Sequence, residues 1–252
     1  MAESENNLKL DALRDEIREP VRSLAEKLQE GLGDNLQSIT VVGSSLTEDF
    51  KPGQSDINTV LVLGRQTSDV LKTIAGMAKP MSKRNLAAPL LMTTNYIERS
   101  RDVFGIELLD LQLTHQTVLG DDPFEKLTFR KKDVRLQCER ELKATLIRLR
   151  QGYIASAANR KLVRDILASA AGALVPLLRA LLWLKDADRP RRAGEVLAKA
   201  AREFSIKADS LTAAREWRHE KKRLQESEIT TAFESIYEAV ERLANIVDEL
   251  EV

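Results

Sequence analysis

Cysteine and histidine are nearly absent from this chain of 252 residues, which has one cysteine, Cys138, and two histidines, His115 and His219. A single cysteine excludes an intrachain disulfide and a multi-cysteine zinc site, and two histidines add too few ligands for a Cys/His cluster. Aromatic residues make up only 4% of the chain, which argues against a stacking platform for single-stranded nucleic acid. Lysine and arginine total 39, as do aspartate and glutamate, so no overall charge attracts nucleic acid or an anionic membrane. Any anion site must therefore be local.

Targeting and membrane signals are also weak. The N-terminal residues lack the basic start and the apolar run of a signal peptide. A long apolar run at 166–184 carries Arg179 near its middle, and a charge at the centre of a bilayer costs roughly 2.5–3.5 kcal/mol. A buried helix in a bundle explains this run without that cost. We therefore expect a cytoplasmic protein with no membrane partner.

The first half of the sequence alternates predicted strands with predicted helices. Apolar, β-rich runs predict strands at 36–42, 59–63, 86–92 and 104–113, and helical spacing predicts helices near 70–78 and 94–102. Helical spacing also covers the first 35 residues, where Pro20 interrupts it, so we expect two short helices or one kinked helix. These patterns predict an α/β or α+β domain with a mixed sheet at 36–125, with residues 1–35 packed on it as a helical segment.

The second half, residues 126–252, is predicted to be an all-α helical bundle. Amphipathic stretches run through 132–155, 160–185, 191–204, 208–223 and 228–250. In the last stretch the apolar residues step alternately by four and three, which makes one narrow seam. Such a seam suits an antiparallel bundle or a coiled-coil pair, so a homo-oligomer through the C-terminal helices is one alternative. The seam residues are Ile229, Phe233, Ile236, Val240, Leu243, Val247 and Leu250.

A glycine-serine turn and an acidic residue lie at the ends of two consecutive predicted strands. Gly43, Ser44 and Ser45 follow the first strand, and Asp56 and Asn58 open the second. Glycine lets the backbone approach a phosphate closely, and serine hydroxyls with nearby N–H groups bind its oxygens. Residues two apart on a strand project from the same face, so positions 56 and 58 point together. Oxygen ligands placed there would suit a hard cation such as Mg²⁺.

These motifs resemble the G-S-loop-D-x-D/E signature of the DNA polymerase β-like nucleotidyltransferase superfamily, especially its small bacterial members. The resemblance covers residues 36–122 by motif and the rest of the chain by architecture. It implies transfer of NMP from an NTP to a hydroxyl acceptor with Mg²⁺ or Mn²⁺ and loss of pyrophosphate. It also implies that Gly43, Ser44 and Ser45 bind the triphosphate, and that Asp56 and Asn58 take the catalytic, metal-binding positions.

The resemblance further implies a third carboxylate on a neighbouring strand, and the predicted strand at 104–113 offers two candidates. Glu107 and Asp110 have opposite parity on a strand, so only one can face the site unless a bulge intervenes. We prefer Glu107 as the catalytic and metal-binding residue, because it follows a short apolar approach as in the superfamily, and Asp110 is the alternative. His115 lies just beyond this strand, and we expect it to be structural.

Asn58 departs from the superfamily pattern, which has Asp or Glu at this position. An amide oxygen can ligate Mg²⁺ but brings no charge, and each close charge contact is worth about 4 kcal/mol before desolvation at an effective dielectric near 20. Two hypotheses therefore stay open: an active nucleotidyltransferase, or a catalytically degenerate nucleotide-binding or protein-interaction module. An NTP is the expected ligand and nucleic acid is not favoured. The sequence does not identify the acceptor or the base.

Small members of the superfamily often carry a C-terminal helical domain, in some cases of the HEPN-like type. HEPN ribonucleases place more residues between an Arg and a His than the three that separate Arg215 from His219. The resemblance therefore does not carry ribonuclease activity to this chain. We expect His219 at a surface or helix end. The basic clusters at 130–132 and 215–223 are expected to be solvated faces that pair with nearby glutamates.

Overall fold

The computed structural model describes residues 8–157, 159–217 and 224–252 and divides into two compact units. The first unit extends to Arg101 and also includes residues 108–128. The second unit comprises residues 102–107 and 129–252. His219 and the rest of the basic cluster beyond residue 217 lie outside the described residues, so their predictions remain predictions.

The first unit is built on a four-stranded mixed sheet with the strand order β3-β2-β1-β4. The strand β1 (Leu36–Val42) pairs antiparallel with β2 (Asn58–Leu63) and with β4 (His115–Leu119). The strand β2 also pairs parallel with β3 (Leu90–Met92). This mixed sheet, followed by a largely helical second unit, confirms the predicted fold class.

The helix α1 (Asp15–Leu32) packs on one face of this sheet. Its apolar residues recur every third or fourth position and form one buried stripe. The stripe shares a core with the β-branched and leucine side chains that point to that face, and with α2 (Ser68–Gly76) and α3 (Ala78–Ser82). Each fully buried Leu or Ile contributes about 1.5–3 kcal/mol. Pro20 lies inside α1, so residues 15–32 form one helix and not two. The core includes Ile17, Val21, Leu24, Ile39, Val41, Leu61, Ile74 and Met81.

The predicted strand at 104–113 is wrong. After α4 (Thr94–Arg99), this segment forms the helix α5 (Gly105–Leu113), and the strand β4 begins only at His115. The physical reason lies in composition, since the segment is rich in Leu, Glu and Gln, which favour helix. The β-branched pair Thr117 and Val118, which favours a strand, comes after it. Glu107 and Asp110 are therefore helical residues, and the argument from strand parity does not apply to them.

Five helices form the described part of the second unit beyond residue 129: α6 (Lys131–Ala155), α7 (Arg160–Leu184), α8 (Ala193–Phe204), α9 (Asp209–Glu216) and α10 (Glu226–Asp248). The bounds of α6, α7, α8 and α10 agree closely with the predicted amphipathic stretches, whereas the predicted stretch 208–223 extends beyond α9 into residues that the structure does not describe. Six of the seven predicted seam residues lie within α10, and five of these, including Ile236 and Val240, are buried inside this unit. The seam is therefore occupied within the chain and is not free to form a coiled coil with another copy.

The helix α7 is long and apolar enough to cross a membrane, but 61% of its most apolar window is buried inside the protein. Arg179, in the C-terminal part of this helix, is buried as well, and its Nε donates a hydrogen bond of 3.1 Å to the Pro190 carbonyl. A backbone carbonyl thus satisfies part of the buried guanidinium. These are the properties of a core helix in a helical bundle.

Candidate functional site

The turn that follows β1 is a single 3₁₀ turn, Gly43–Leu46, which we call the Gly43 turn. Gly43 has φ +78°, a left-handed conformation that side chains other than glycine rarely adopt. Its N–H donates to the Thr114 carbonyl at 3.1 Å, which ties the turn to the start of β4. Ser44 is exposed, whereas Ser45 is buried and its hydroxyl donates to the Val42 carbonyl at 3.4 Å. Of the two serines, only Ser44 presents its hydroxyl to solvent.

The loop beyond the Gly43 turn is held by side chains from three places. Thr47 donates its hydroxyl to the Ser44 carbonyl at 3.1 Å, which closes the turn. Arg14 donates to the Thr47 carbonyl at 2.7 Å and lies over the Phe50 ring at 5.3 Å. The Ser55 hydroxyl accepts from the Lys51 N–H at 3.1 Å, just before the chain reaches β2. The loop is therefore anchored at its start, middle and end.

Asp56 and Asn58 lie where β2 begins, beside the Gly43 turn. Asn58 pairs with Val42, the last residue of β1. A methyl group added at Gly43 would lie 3.9 Å from the Asn58 side-chain nitrogen, so the amide stands over the turn. Both Asp56 and Asn58 are exposed, and within the described part of the chain their side chains make no hydrogen bond or ion pair. They are available as oxygen ligands.

The strand beside Asn58 on its other side is β3, and it carries no acidic residue. Val60 pairs with Leu90, and Asn58 lies two residues before Val60, so Leu90 projects from the same face as Asn58. Leu90 is 51% exposed, which is unusual for a leucine in a sheet. The four strands, all within the described residues, contain no Asp or Glu. Among all the residues that the structure describes, no group of three or more His, Cys, Asp or Glu side chains is placed to hold a metal ion.

The structure places the two predicted third carboxylates differently. Glu107 belongs to the second unit, where its carboxylate accepts a hydrogen bond of 2.8 Å from the Gln137 side chain. Gln137 is buried, and its carbonyl oxygen accepts from the Ile106 N–H at 3.0 Å. Asp110 lies on α5 in the first unit, and its backbone carbonyl accepts from Thr114. Neither residue lies on a strand, so their predicted metal-binding role has no support from sheet geometry.

Comparison of the whole fold with solved structures gives a match. The chain is similar to spectinomycin adenyltransferase AAD(9) from Enterococcus faecialis, whose crystal structure contains ATP and spectinomycin, with a TM-score of 0.56. The match covers 88% of this chain and 98% of that chain at 12% sequence identity. The chain has a nucleotidyltransferase fold. No protein family and no curated protein matches its sequence. The shared fold spans both units, and the low identity carries no site chemistry with it.

A histidine-aspartate pair flanks the Gly43 turn of this nucleotidyltransferase fold on the side away from Asn58. His115, in β4, pairs with Val42 of β1. Its ring Nε2 lies 2.8 Å from the Asp122 carboxylate. The other ring nitrogen, Nδ1, lies 3.0 Å from the Gln112 carbonyl. Both ring nitrogens thus have an oxygen neighbour within hydrogen-bonding distance. The pair fastens α5, β4 and the following turn together, which agrees with the structural role expected for His115.

Sequence reasoning missed Leu90, Arg14 and Asp122. Leu90 carries no chemical signal, because an apolar residue in a strand looks like core. Arg14 and Asp122 form hydrogen bonds with backbone groups of other residues, and these contacts are seen only in the folded chain. Cys138 supplies no nucleophile, since burial first, and Glu107 second, raise the pKa of its thiol well above the usual range.

Proposed function

We propose that this protein binds a magnesium-NTP complex at the Gly43 turn and does not transfer the nucleotide. The observation that carries the proposal is the composition of the sheet edge. The Gly43 turn, which suits a phosphate group, and one free carboxylate, Asp56, are present. The amide of Asn58 and the side chain of Leu90 lie where further carboxylates are expected. The nucleotidyltransferase fold supports the ligand class, and the side chains argue against the reaction.

The triphosphate would lie against the Gly43 turn. The positive φ of Gly43 turns the backbone so that no side chain blocks the approach, and the N–H groups at the start of a 3₁₀ turn have no partners within it. The exposed Ser44 hydroxyl adds one donor. The buried Ser45 hydroxyl would support the turn from beneath. The contacts therefore need no specific base, so each of the four NTPs is a candidate ligand.

The cation is required because the surrounding loop is acidic. Residues 43–58 contain three carboxylates, Glu48, Asp49 and Asp56, and one cation, Lys51. Arg14, which donates to the Thr47 carbonyl, adds a second cation, so one negative charge is left over. A bare triphosphate would be repelled by this loop, whereas Mg²⁺ neutralises part of its charge. Mg²⁺ is commonly held by one or two carboxylates together with substrate phosphates and waters. Asp56, with the Asn58 amide oxygen, fits that description for one ion.

The proposal includes no nucleotide transfer, because that reaction requires more carboxylates than this site contains. In two-metal sites a pair of ions, about 3.5–4 Å apart, stabilises both the attacking and the leaving oxygens. Asn58, two residues from Asp56, and Leu90, on the same face of the neighbouring strand, are the positions from which the additional negative charge would have to come. With one carboxylate, a second ion is not held, and no side chain is left to act as a base.

The binding half of the proposal is tested by isothermal titration calorimetry with each NTP and Mg²⁺. We expect binding that Asp56→Asn weakens about tenfold or more, equivalent to about 1.4 kcal/mol. Glu107→Gln is the matched control, because it also removes one carboxylate but should leave the affinity unchanged. Absence of NTP binding with either Mg²⁺ or Mn²⁺ would sink the proposal. A large effect of Glu107→Gln would return that residue to the site.

The catalytic half is tested by following pyrophosphate release and self-labelling with labelled NTPs. Wild type should be silent. The double variant Asn58→Asp/Leu90→Glu adds one carboxylate two residues from Asp56 and one on the same face of β3. It should release pyrophosphate, and Asn58→Asp alone should do less. Pyrophosphate release by wild type, abolished by Asp56→Asn, would instead establish an active nucleotidyltransferase.

A further inference from the structure

Two helices of the second unit carry exposed stripes of opposite charge. On α6, seven exposed residues lie within about 40° of one line along the helix. Four of them are cationic, three are large aliphatic side chains, and none is acidic. The aliphatic residues Leu136, Ile147 and Ile154 are 59%, 51% and 77% exposed. The full α6 stripe is Lys132, Leu136, Arg140, Lys143, Ile147, Arg150 and Ile154.

The stripe on α10 is the acidic counterpart. Six exposed residues again lie within about 40° of one line, with four carboxylates, one threonine, one asparagine and no cation. They are Thr230, Glu234, Glu238, Glu241, Asn245 and Asp248. The four carboxylates equal the four cations of the α6 stripe in number, so the two stripes are matched in charge.

The two stripes lie next to each other because α6 and α10 pack side by side and antiparallel. Near one end, Arg135 of α6 donates to the Val247 carbonyl of α10 at 2.9 Å. Near the other, the Tyr153 and Phe233 rings lie with their centroids 4.6 Å apart. The basic stripe and the acidic stripe thus form two neighbouring columns on one surface, which we call the α6/α10 face.

We propose that the α6/α10 face binds a second copy of this chain. A two-fold axis parallel to the helices places α6 of one copy over α10 of the other, and α10 over α6 at the same time. Lys143 already pairs with Asp248 of its own chain at 3.1 Å. The other three cations of the α6 stripe therefore face the three glutamates of the α10 stripe in each half of the interface, and the exposed aliphatic side chains pack against the methylene groups of the glutamates. A two-fold axis perpendicular to the helices would instead place α6 of one copy against α6 of the other, so that cations would face cations. Charge therefore selects the first arrangement.

This surface differs from the apolar seam predicted from the sequence. The seam side chains of α10, such as Ile236 and Val240, are fully buried within the unit. The stripes point outward from the same pair of helices. Association of two copies would therefore leave the internal packing of each copy unchanged, and it would depend on salt because the contacts are largely ionic.

Sedimentation velocity of the full chain is the first experiment. At concentrations of tens of micromolar we expect a species of twice the 28.3 kDa chain mass. Raising the salt from about 0.05 M to about 0.5 M should weaken association about tenfold, since exposed charges are then screened. A species of 28.3 kDa at every concentration and at low salt would overturn the proposal.

Charge reversal supplies the decisive control. The α6 variant Arg140→Glu/Ile147→Glu and the α10 variant Glu238→Arg/Glu241→Arg should each be monomeric, with circular dichroism like wild type. An equimolar mixture of the two variants should form dimers again, because the acidic α6 of one faces the basic α10 of the other. The chain that carries all four substitutions should also dimerise. Dimers that persist in either separate variant, or a mixture that stays monomeric, would refute the α6/α10 face.

Discussion

Asp122 joins three segments of the first unit through its two carboxylate oxygens. One oxygen accepts hydrogen bonds from the Phe124 and Glu125 N–H groups at 2.9 and 3.2 Å, and the other lies 2.8 Å from His115. Burial by itself raises the pKa of Asp122, but the Phe124 N–H and His115 together outweigh it, so the pKa lies below the usual 3.8. The charged carboxylate thus stabilises the fold above the unfolded-state pKa. That contribution is lost as the pH falls through the lower, folded-state pKa.

Asp122→Asn should therefore lower the free energy of unfolding near neutral pH, by about 1 kcal/mol once solvent screening is allowed for. Urea titrations at about pH 7 and about pH 3 measure the difference from wild type, which should shrink at the lower pH because the pH has then fallen below the unfolded-state pKa of Asp122. Asp188→Asn is the control, since Asp188 is 80% exposed and pairs only loosely with Lys199 at 3.5 Å. An Asp122→Asn effect of equal size at both pH values would contradict the ionic explanation.

At the scale of elements, the sequence predicts what depends on local spacing. The Gly43 turn and the opening of β2 by Asp56 and Asn58 follow from a β-rich run, a glycine and a second apolar run. The predicted strand at 104–113 is wrong because the leucines of this segment alternate as in a strand, while its Leu, Glu and Gln content favours the helix that forms.

The position of Leu90 beside Asn58 could not be predicted, for a different reason. It depends on the parallel register of β2 with β3, and α2 and α3 separate these strands in the chain. Parallel strands are joined by a long crossover connection, so no short turn between β2 and β3 fixes which of their residues pair. The prediction of Glu107 or Asp110 as the third carboxylate rested on a strand at 104–113, and this segment forms the helix α5 instead.

The Gly43 turn itself can be tested as an element. Gly43→Ala should cost about 1 kcal/mol of unfolding free energy, because alanine is strained at positive φ, while the added methyl makes only an ordinary contact with Asn58. Gly76→Ala is the matched control, since Gly76 ends α2 with nothing within 4 Å and an ordinary φ, and it should be neutral or slightly stabilising. Urea denaturation measures both. Equal stability of the two variants would mean that the turn does not need its left-handed backbone.

At the scale of the whole molecule, the two units assign the proposed activities to different parts of the chain. The nucleotide site uses β1, the Gly43 turn and β2 of the first unit, and the α6/α10 face belongs entirely to the second. A ligand that binds only the folded first unit should stabilise that unit directly. Hydrogen exchange can therefore locate the nucleotide without any assumption about catalysis.

Addition of Mg²⁺ with ATP at about 100 times its dissociation constant should stabilise the bound unit by about 2.7 kcal/mol, and amides that exchange by opening of that unit should slow by up to about 100-fold. We expect this protection at Gly43–Leu46 and across β1 and β2, measured by mass spectrometry of peptides. The amides of α7 provide an internal control, since they belong to the second unit, and Mg²⁺ alone provides the reference. Protection by ATP without Mg²⁺ would contradict the argument from the acidic loop, because a bare triphosphate should be repelled by Glu48, Asp49 and Asp56. Protection confined to α6–α10 would place the nucleotide elsewhere and remove the Gly43 turn from the proposal.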